Sequence, residues 1–450
     1  LQGITQLKRL AEERPANADF RRNLATCYFQ LGELYRIEDR LKPAEDALLQ
    51  AQQLQEELAT VPGAPDDRLA LSRTYNDLGH VHRKAFRFAA ARDDYQKAIT
   101  IQAELVKEFP ANADYEENLA GSCNDFAIVL RLLNDPGAEK QYDQAIRRLS
   151  QLVAKYPKVE RYRRKLASAY INRGNLLTDL KPDIAANDFK EGIRLWSKLH
   201  EQFALVPMYY FELANARNSE AGLLAKQKET RDAALKEYQV ALEQFQDLVK
   251  EHPQVATYRS CRAATLDNLA GVLVKLGQVK EAREKLAEAL PIHQEALQSN
   301  VREPTYLRFL RNHYSILADA LLASDKEVSV DHAGAAAAAA ELPALADKVA
   351  ALQPASTGDE ARDYRRAVAI LGRCITAARN DRSLKSKEAK EAVVKKYAEQ
   401  AMTWLKALVT KRQITAGDLR ESEAFRPIRE VMPQFNQLAE QAPQKLEMGK

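Results

Sequence analysis

The stretch NLATCYFQLGELYR (residues 23–36) puts small or apolar residues at Leu24, Cys27, Tyr28, Leu31, Leu34 and Tyr35. Steps of three and four gather them on one face of a helix. Gly32 interrupts that face, at a cost of about 1 kcal/mol relative to alanine. The pattern returns in ALSRTYNDLGHVHR (70–83), NLAGSCNDFAIVLR (118–131) and KLASAYINRGNLLT (165–178). It continues in ELANARNSEAGLLA (212–225), RAATLDNLAGVLVK (262–275) and LRNHYSILADALLA (310–323). The residue matching Gly32 is then Gly79, Ala127, Gly174, Ala221, Ala270 and Ala318, at steps of 47, 48, 47, 47, 49 and 48 residues. So constant a period marks an internal repeat.

A second helical stretch follows each of the first six. Its core is a small residue, a bulky one four later and a small one three later: Ala91, Tyr95, Ala98; Ala138, Tyr142, Ala145; Ala234, Tyr238, Ala241. Prolines at 110, 157 and 253 stop this helix. A notch on the first helix (A) and a small–bulky–small face on the second (B) predict a closely packed antiparallel pair. One pair cannot bury both its faces, so the pairs must stack.

The spacing resembles the tetratricopeptide repeat. Unit one supplies Tyr28, Leu31, Gly32, Tyr35, Ala44, Leu48 and Ala51 at the intervals of that motif; unit two supplies Tyr75, Leu78, Gly79, Ala91, Tyr95 and Ala98. The departures are unit length, 47–49 residues against the family's 34, His82 in place of the second aromatic, and alanine for glycine in four units. The resemblance implies an all-α, right-handed solenoid of antiparallel helix pairs. We expect a lead-in over 1–17, seven extended pairs over 18–330 and an alanine-rich degenerate helix and linker over 331–358. An irregular eighth pair follows over 359–410, and a C-terminal cap and tail over 411–450, with Phe425, Pro427, Met432, Pro433 and Phe435 spaced to cover the end of the stack.

A narrower resemblance concerns ADFRRNLATCY, ERYRRKLASAY and the tail over 401–438. These look like the C-terminal arrays of large bacterial serine/threonine protein kinases, in which case the catalytic domain lies before Leu1. No kinase chemistry is encoded here: G-x-G-x-x-G, H-R-D and D-F-G are all missing, as are G-x-x-x-x-G-K, G-x-S-x-G and H-E-x-x-H. The chain is therefore expected to be non-enzymatic, and to need no cofactor and no metal.

Composition narrows the picture. Hydrophobic residues make up 46% of the chain, enough for a large core, and glycine and proline number only 16 and 17, low for an all-β protein. Net charge is +4, from 67 basic and 63 acidic residues. That near balance argues against a dedicated nucleic-acid binder; the alternative, a basic solenoid face on nucleic acid, predicts steeply salt-dependent binding. Four scattered cysteines (Cys27, Cys123, Cys261, Cys374) form no CxxC and read as small hydrophobes in a reducing, cytoplasmic setting. No run of eighteen apolar residues predicts a membrane span. His80 and His82, two apart on a helix, cannot share an ion. Trp196 and Trp404 fall on B-type helices, where they fill core, and the lysine-rich stretch 385–396 reads as a solvated face.

The candidate site is the surface that the A helices present, which the family resemblance places on the concave side. The residue three before each Gly32 equivalent is Phe29, Asn76, Asn124, Ile171, Asn218, Asp267 and Ser315. An asparagine offers both donor and acceptor, so a ladder of them can hold an extended peptide by its backbone. Arg73, His80, Arg83 and Lys84 surround Asn76, and Arg131 follows Asn124, so this end is expected to steer acidic segments. The expected partner is a protein or peptide. Many modest contacts on a preformed surface, with a few dominant anchors, would hold it.

Overall fold

The computed structural model describes residues 2–14, 17–60, 65–301, 303–352 and 357–446. The ends of the expected lead-in and tail, the loop at 61–64 and linker residues 353–356 lie outside the described residues. The described residues hold helices and no strand, and they form two compact units, Leu1–Ser219 and Glu220–Lys450.

In the first unit, α1 (Gln2–Glu13) precedes the pairs α2 (Ala18–Ile37) with α3 (Leu41–Ala59) and α4 (Pro65–Lys84) with α5 (Phe88–Glu108). Next come α6 (Ala113–Leu132) with α7 (Ala138–Lys155), α8 (Glu160–Leu177) with α9 (Pro182–Gln202), and α10 (Pro207–Leu224). Each helix from α2 to α8 packs on the one before it and the one after it, α9 packs on α8, and α2, α4, α6 and α8 also touch in succession. The helices begin where local chemistry lets them. Asn17 and Asn112 cap α2 and α6 with their side-chain oxygens, satisfying backbone N–H groups that have no partner inside the helix.

Four of the A-to-B turns share one geometry. Asp39, Phe86, Asn134 and, in the second unit, Gly277 take left-handed backbone with φ of 59°, 59°, 55° and 80°. In each case the next N–H reaches back to a carbonyl five residues earlier: Arg40 to Tyr35, Arg87 to His82 and Asp135 to Leu130 at 2.8 Å, and Gln278 to Leu273 at 2.9 Å. This closes the end of helix A and reverses the chain into helix B. Only Gly277 adopts that geometry without steric penalty, which costs a non-glycine residue about 1 kcal/mol.

Packing inside a pair follows the small–bulky–small spacing. Ala44, Leu48 and Ala51, then Ala91, Tyr95 and Ala98, are all fully buried. A methyl group on Gly32 would stand 2.7 Å from Leu48 Cγ, and one on Gly174 would stand 2.8 Å from Phe189 Cε1. The glycine is therefore the notch that admits the bulky residue of helix B.

In the second unit, α11 (Arg231–Glu251) and α12 (Ala256–Leu276) are followed by α13 (Val279–Ser299) and α14 (Pro304–Leu322). The alanine-rich α15 (His332–Leu352) packs between α14 and α16 (Thr357–Asn380), and α16 pairs with α17 (Lys387–Thr410). Short helices α18 (Ala416–Glu421), α19 (Arg426–Arg429) and α20 (Phe435–Gln441) complete the unit. Phe425, Met432 and Phe435 are buried in the same core as Ala339, Leu371 and Leu405.

Candidate functional site

Four successive A helices of the first unit line one cavity of about 580 Å³. Helix α2 contributes Phe29 and Glu33; α4 contributes Arg73, Asn76, Asp77 and His80. Helix α6 adds Asn118, Ser122, Asn124 and Asp125, and α8 adds Arg164, Lys165 and Ser168. Five of the residues singled out in the sequence (Phe29, Arg73, Asn76, His80 and Asn124) thus meet here. Glu33 and Asp77 lie four residues from Phe29 and Arg73 on the same helices, whereas α8 carries none of the five. A single register through the repeat misses Glu33 and Asp77, whereas the full i, i+3, i+4 face finds them.

The ladder is partly self-satisfied. Asn76 Nδ2 donates to Ser122 Oγ at 2.6 Å, and Ser122 in turn donates to the Asn118 carbonyl at 3.0 Å. Asn124 accepts from Asn172 Nδ2 at 3.1 Å and donates to Asp125 at 3.2 Å, so both ends of its amide are occupied. Asn76 Oδ1 is buried without a partner. These bonds run from one A helix to the next, 46 and 48 residues along the chain, and so they also tie the stack together.

Charge in the cavity is mixed, which net charge and sequence neighbours did not reveal. His80 Nε2 lies 3.2 Å from Asp125 Oδ2. Burial pushes the Asp125 carboxyl up, but the His80 hydrogen bond and the charges of His80 and Arg83 outweigh it and hold Asp125 below the usual carboxylate range. Asp77, 3.4 Å from Arg36 Nε, goes the other way because desolvation exceeds the pull of Arg36. Lys165 is paired with Glu117 at 2.8 Å. Arg73 is exposed and, among the described residues, makes no ion pair. It is the cation left to meet a ligand.

The remaining sequence candidates lie elsewhere. Lys84 is held by Asp39 at 2.7 Å, Arg83 sits beside Asp125 and Tyr95, and Arg131 lies near Tyr142. Ile171 fills the space over Gly192, where any side chain would collide with it. Asn218 is part-buried on α10 and does not line the cavity. In the second unit Ser315 accepts from Arg366 Nε at 3.1 Å.

Asp267 corrects the expectation outright: it is fully buried, not groove-facing. His293 of α13 and His313 of α14 close over it, and its neighbour Asn268 lines a surface cavity instead. The third position before the notch borders the interface with the next A helix. A neighbouring imidazole is enough to seal it in.

Family models described as tetratricopeptide repeat match residues 71–111 and 262–300, which span α4–α5 and α12–α13, and residues 128–158, which contain α7. Over those three stretches the chain is similar to the tetratricopeptide repeat. No curated protein matches it. Solved structures similar to this chain include a Rap protein complexed with competence and sporulation factor, at 15% identity and TM-score 0.38, covering 83% of this chain and 97% of that one. Human IFIT1, as a dimer with m7Gppp-AAAA, is 12% identical with TM-score 0.37 over 97% and 93%. Yeast Tom70 is 15% identical with TM-score 0.30 over 93% and 95%. Among the described residues no helix is long and apolar enough to cross a membrane.

Proposed function

We propose that the chain is a non-catalytic scaffold whose A-helix cavity, from α2 to α8, binds an extended segment of another protein. The observation that carries this reading is the convergence of four A helices on one cavity holding an exposed cation, Arg73, that makes no ion pair among the described residues. A ligand carboxylate suits Arg73, and Asn76 and Asn124 line the same cavity. Phe29 offers an apolar contact beside them. An acidic peptide fits the free guanidinium, while Glu33, Asp77 and Asp125 reject one of uniformly negative charge.

Affinity capture with the full chain, followed by titration of the retained partner, tests this. Arg73→Ala, and Asn76→Ala combined with Asn124→Ala, should each weaken binding at least fivefold with helix content unchanged by circular dichroism. Wild-type affinity in both variants would remove the cavity from consideration.

The extended units and the tail over 401–438 support a second reading, an array borne by a serine/threonine protein kinase. It predicts a Gly-rich loop, an H-R-D and a D-F-G in the coding sequence upstream of Leu1. An upstream sequence lacking all three would dismiss it.

A further inference from the structure

We infer that Asp267, His293 and His313 form a binding site for a divalent transition-metal ion of the zinc class. The three side chains come from three consecutive helices, α12, α13 and α14, and are 0%, 1% and 0% exposed. His293 Nε2 lies 2.8 Å from Asp267 Oδ2, and His313 Nδ1 lies 2.7 Å from Asp267 Oδ1. The three donor atoms all fall within 4.8 Å of one another.

Hydrogen bonding alone leaves this cluster incomplete. A carboxylate taken wholly out of water needs a counter-charge, and its partners here are two imidazoles, which supply one only when protonated. A divalent ion bound where the two rings meet the carboxylate supplies the charge directly.

The donor set selects the ion. Two imidazole nitrogens and one carboxylate oxygen suit zinc and its transition-metal neighbours, whereas calcium and magnesium favour sites built from oxygen. Zinc bonds of about 2.0–2.2 Å place the ion where the bridging protons now lie, with small movements of the rings. The ion takes the lone pairs of His293 Nε2 and His313 Nδ1, so a proton bridging either nitrogen to the carboxylate moves to the other nitrogen of its ring, and any second proton on a ring leaves to solvent as the ion binds. Sealed from solvent, such an ion would serve to pin three helices rather than to activate substrate.

The full chain, stripped with chelator and dialysed against buffered Zn²⁺ or Co²⁺ alone, provides the test. The expected result is one ion per chain, visible absorption bands from bound Co²⁺ and a higher thermal midpoint with Zn²⁺. Asp267→Asn and His313→Gln should each weaken retention at least tenfold, while His252→Gln should retain the ion as wild type does. Absence of bound ion from the intact chain overturns the inference, whether or not the variants fold. So does retention of the Co²⁺ bands by folded Asp267→Asn and His313→Gln.

Discussion

A methyl group on Gly79 would stand 2.9 Å from the ring of Tyr95, which is itself fully buried on the partner helix. Two effects oppose each other when Gly79 becomes alanine. Helix propensity favours the change by about 1 kcal/mol, and overpacking against a ring that cannot move costs about 1–3 kcal/mol. Packing wins here. Gly79→Ala should lower stability by roughly 0.5–2 kcal/mol in chemical denaturation. Gly271→Ala provides the contrast, because its methyl would meet only Ile316 at 3.8 Å, an ordinary contact. That variant should be neutral or more stable by up to about 1 kcal/mol. Equal effects at the two positions would contradict the notch.

His82 should make stability depend on pH. Its ring lies 2.5 Å from Asp94 and 3.2 Å from Glu45, and the Asp94 hydrogen bond raises its pKa against the opposing effect of burial. The folded protein therefore holds this proton more tightly than the unfolded chain. Its contribution is complete below the ordinary value of 6.5 and is lost as pH rises through the higher folded value. Glu45 limits the acid side: the Arg87 hydrogen bond, acting against desolvation, draws its carboxyl down to about 2, so its contribution holds above 4.5 and is lost as pH falls toward 2. Thermal unfolding of wild type and His82→Gln from pH 5 to pH 9 checks the first sign. The gap between them should narrow as pH rises; a gap that widens refutes it.

The cysteines should divide into two pairs by reactivity. Cys123 and Cys374 are fully buried, and desolvation pushes each thiol up to about 12. Cys27 and Cys261 are part-exposed. Iodoacetamide at pH 8 should label Cys27 and Cys261 in the native protein, and Cys123 and Cys374 only after denaturation. Mass spectrometry of timed digests reads this directly, and early labelling of Cys123 would show that helix α6 opens locally.

The helices, their pairing and the role of Gly32 were legible in the residues themselves. A face repeated every 47–49 residues leaves few ways to bury apolar surface other than stacked pairs. The helices from α2 to α13 run to 18–21 residues. The cavity was half legible. Asn76 and Asn124 were reached by counting from the notch, but Asp77, Asn118 and Lys165 were not. Counting along one register follows a line, whereas a cavity is a surface shared by four helices.

Asp267 marks the boundary between the two kinds of knowledge. Local sequence places it on helix α12 at the right distance from Ala270, and periodicity can do no more. Whether that position faces solvent depends on His293 and His313, 26 and 46 residues further along. Periodicity settles which face of a helix a residue occupies, because backbone geometry is local. Burial and partners depend on what the neighbouring helices carry, and only their packing brought the carboxylate and the two imidazoles together.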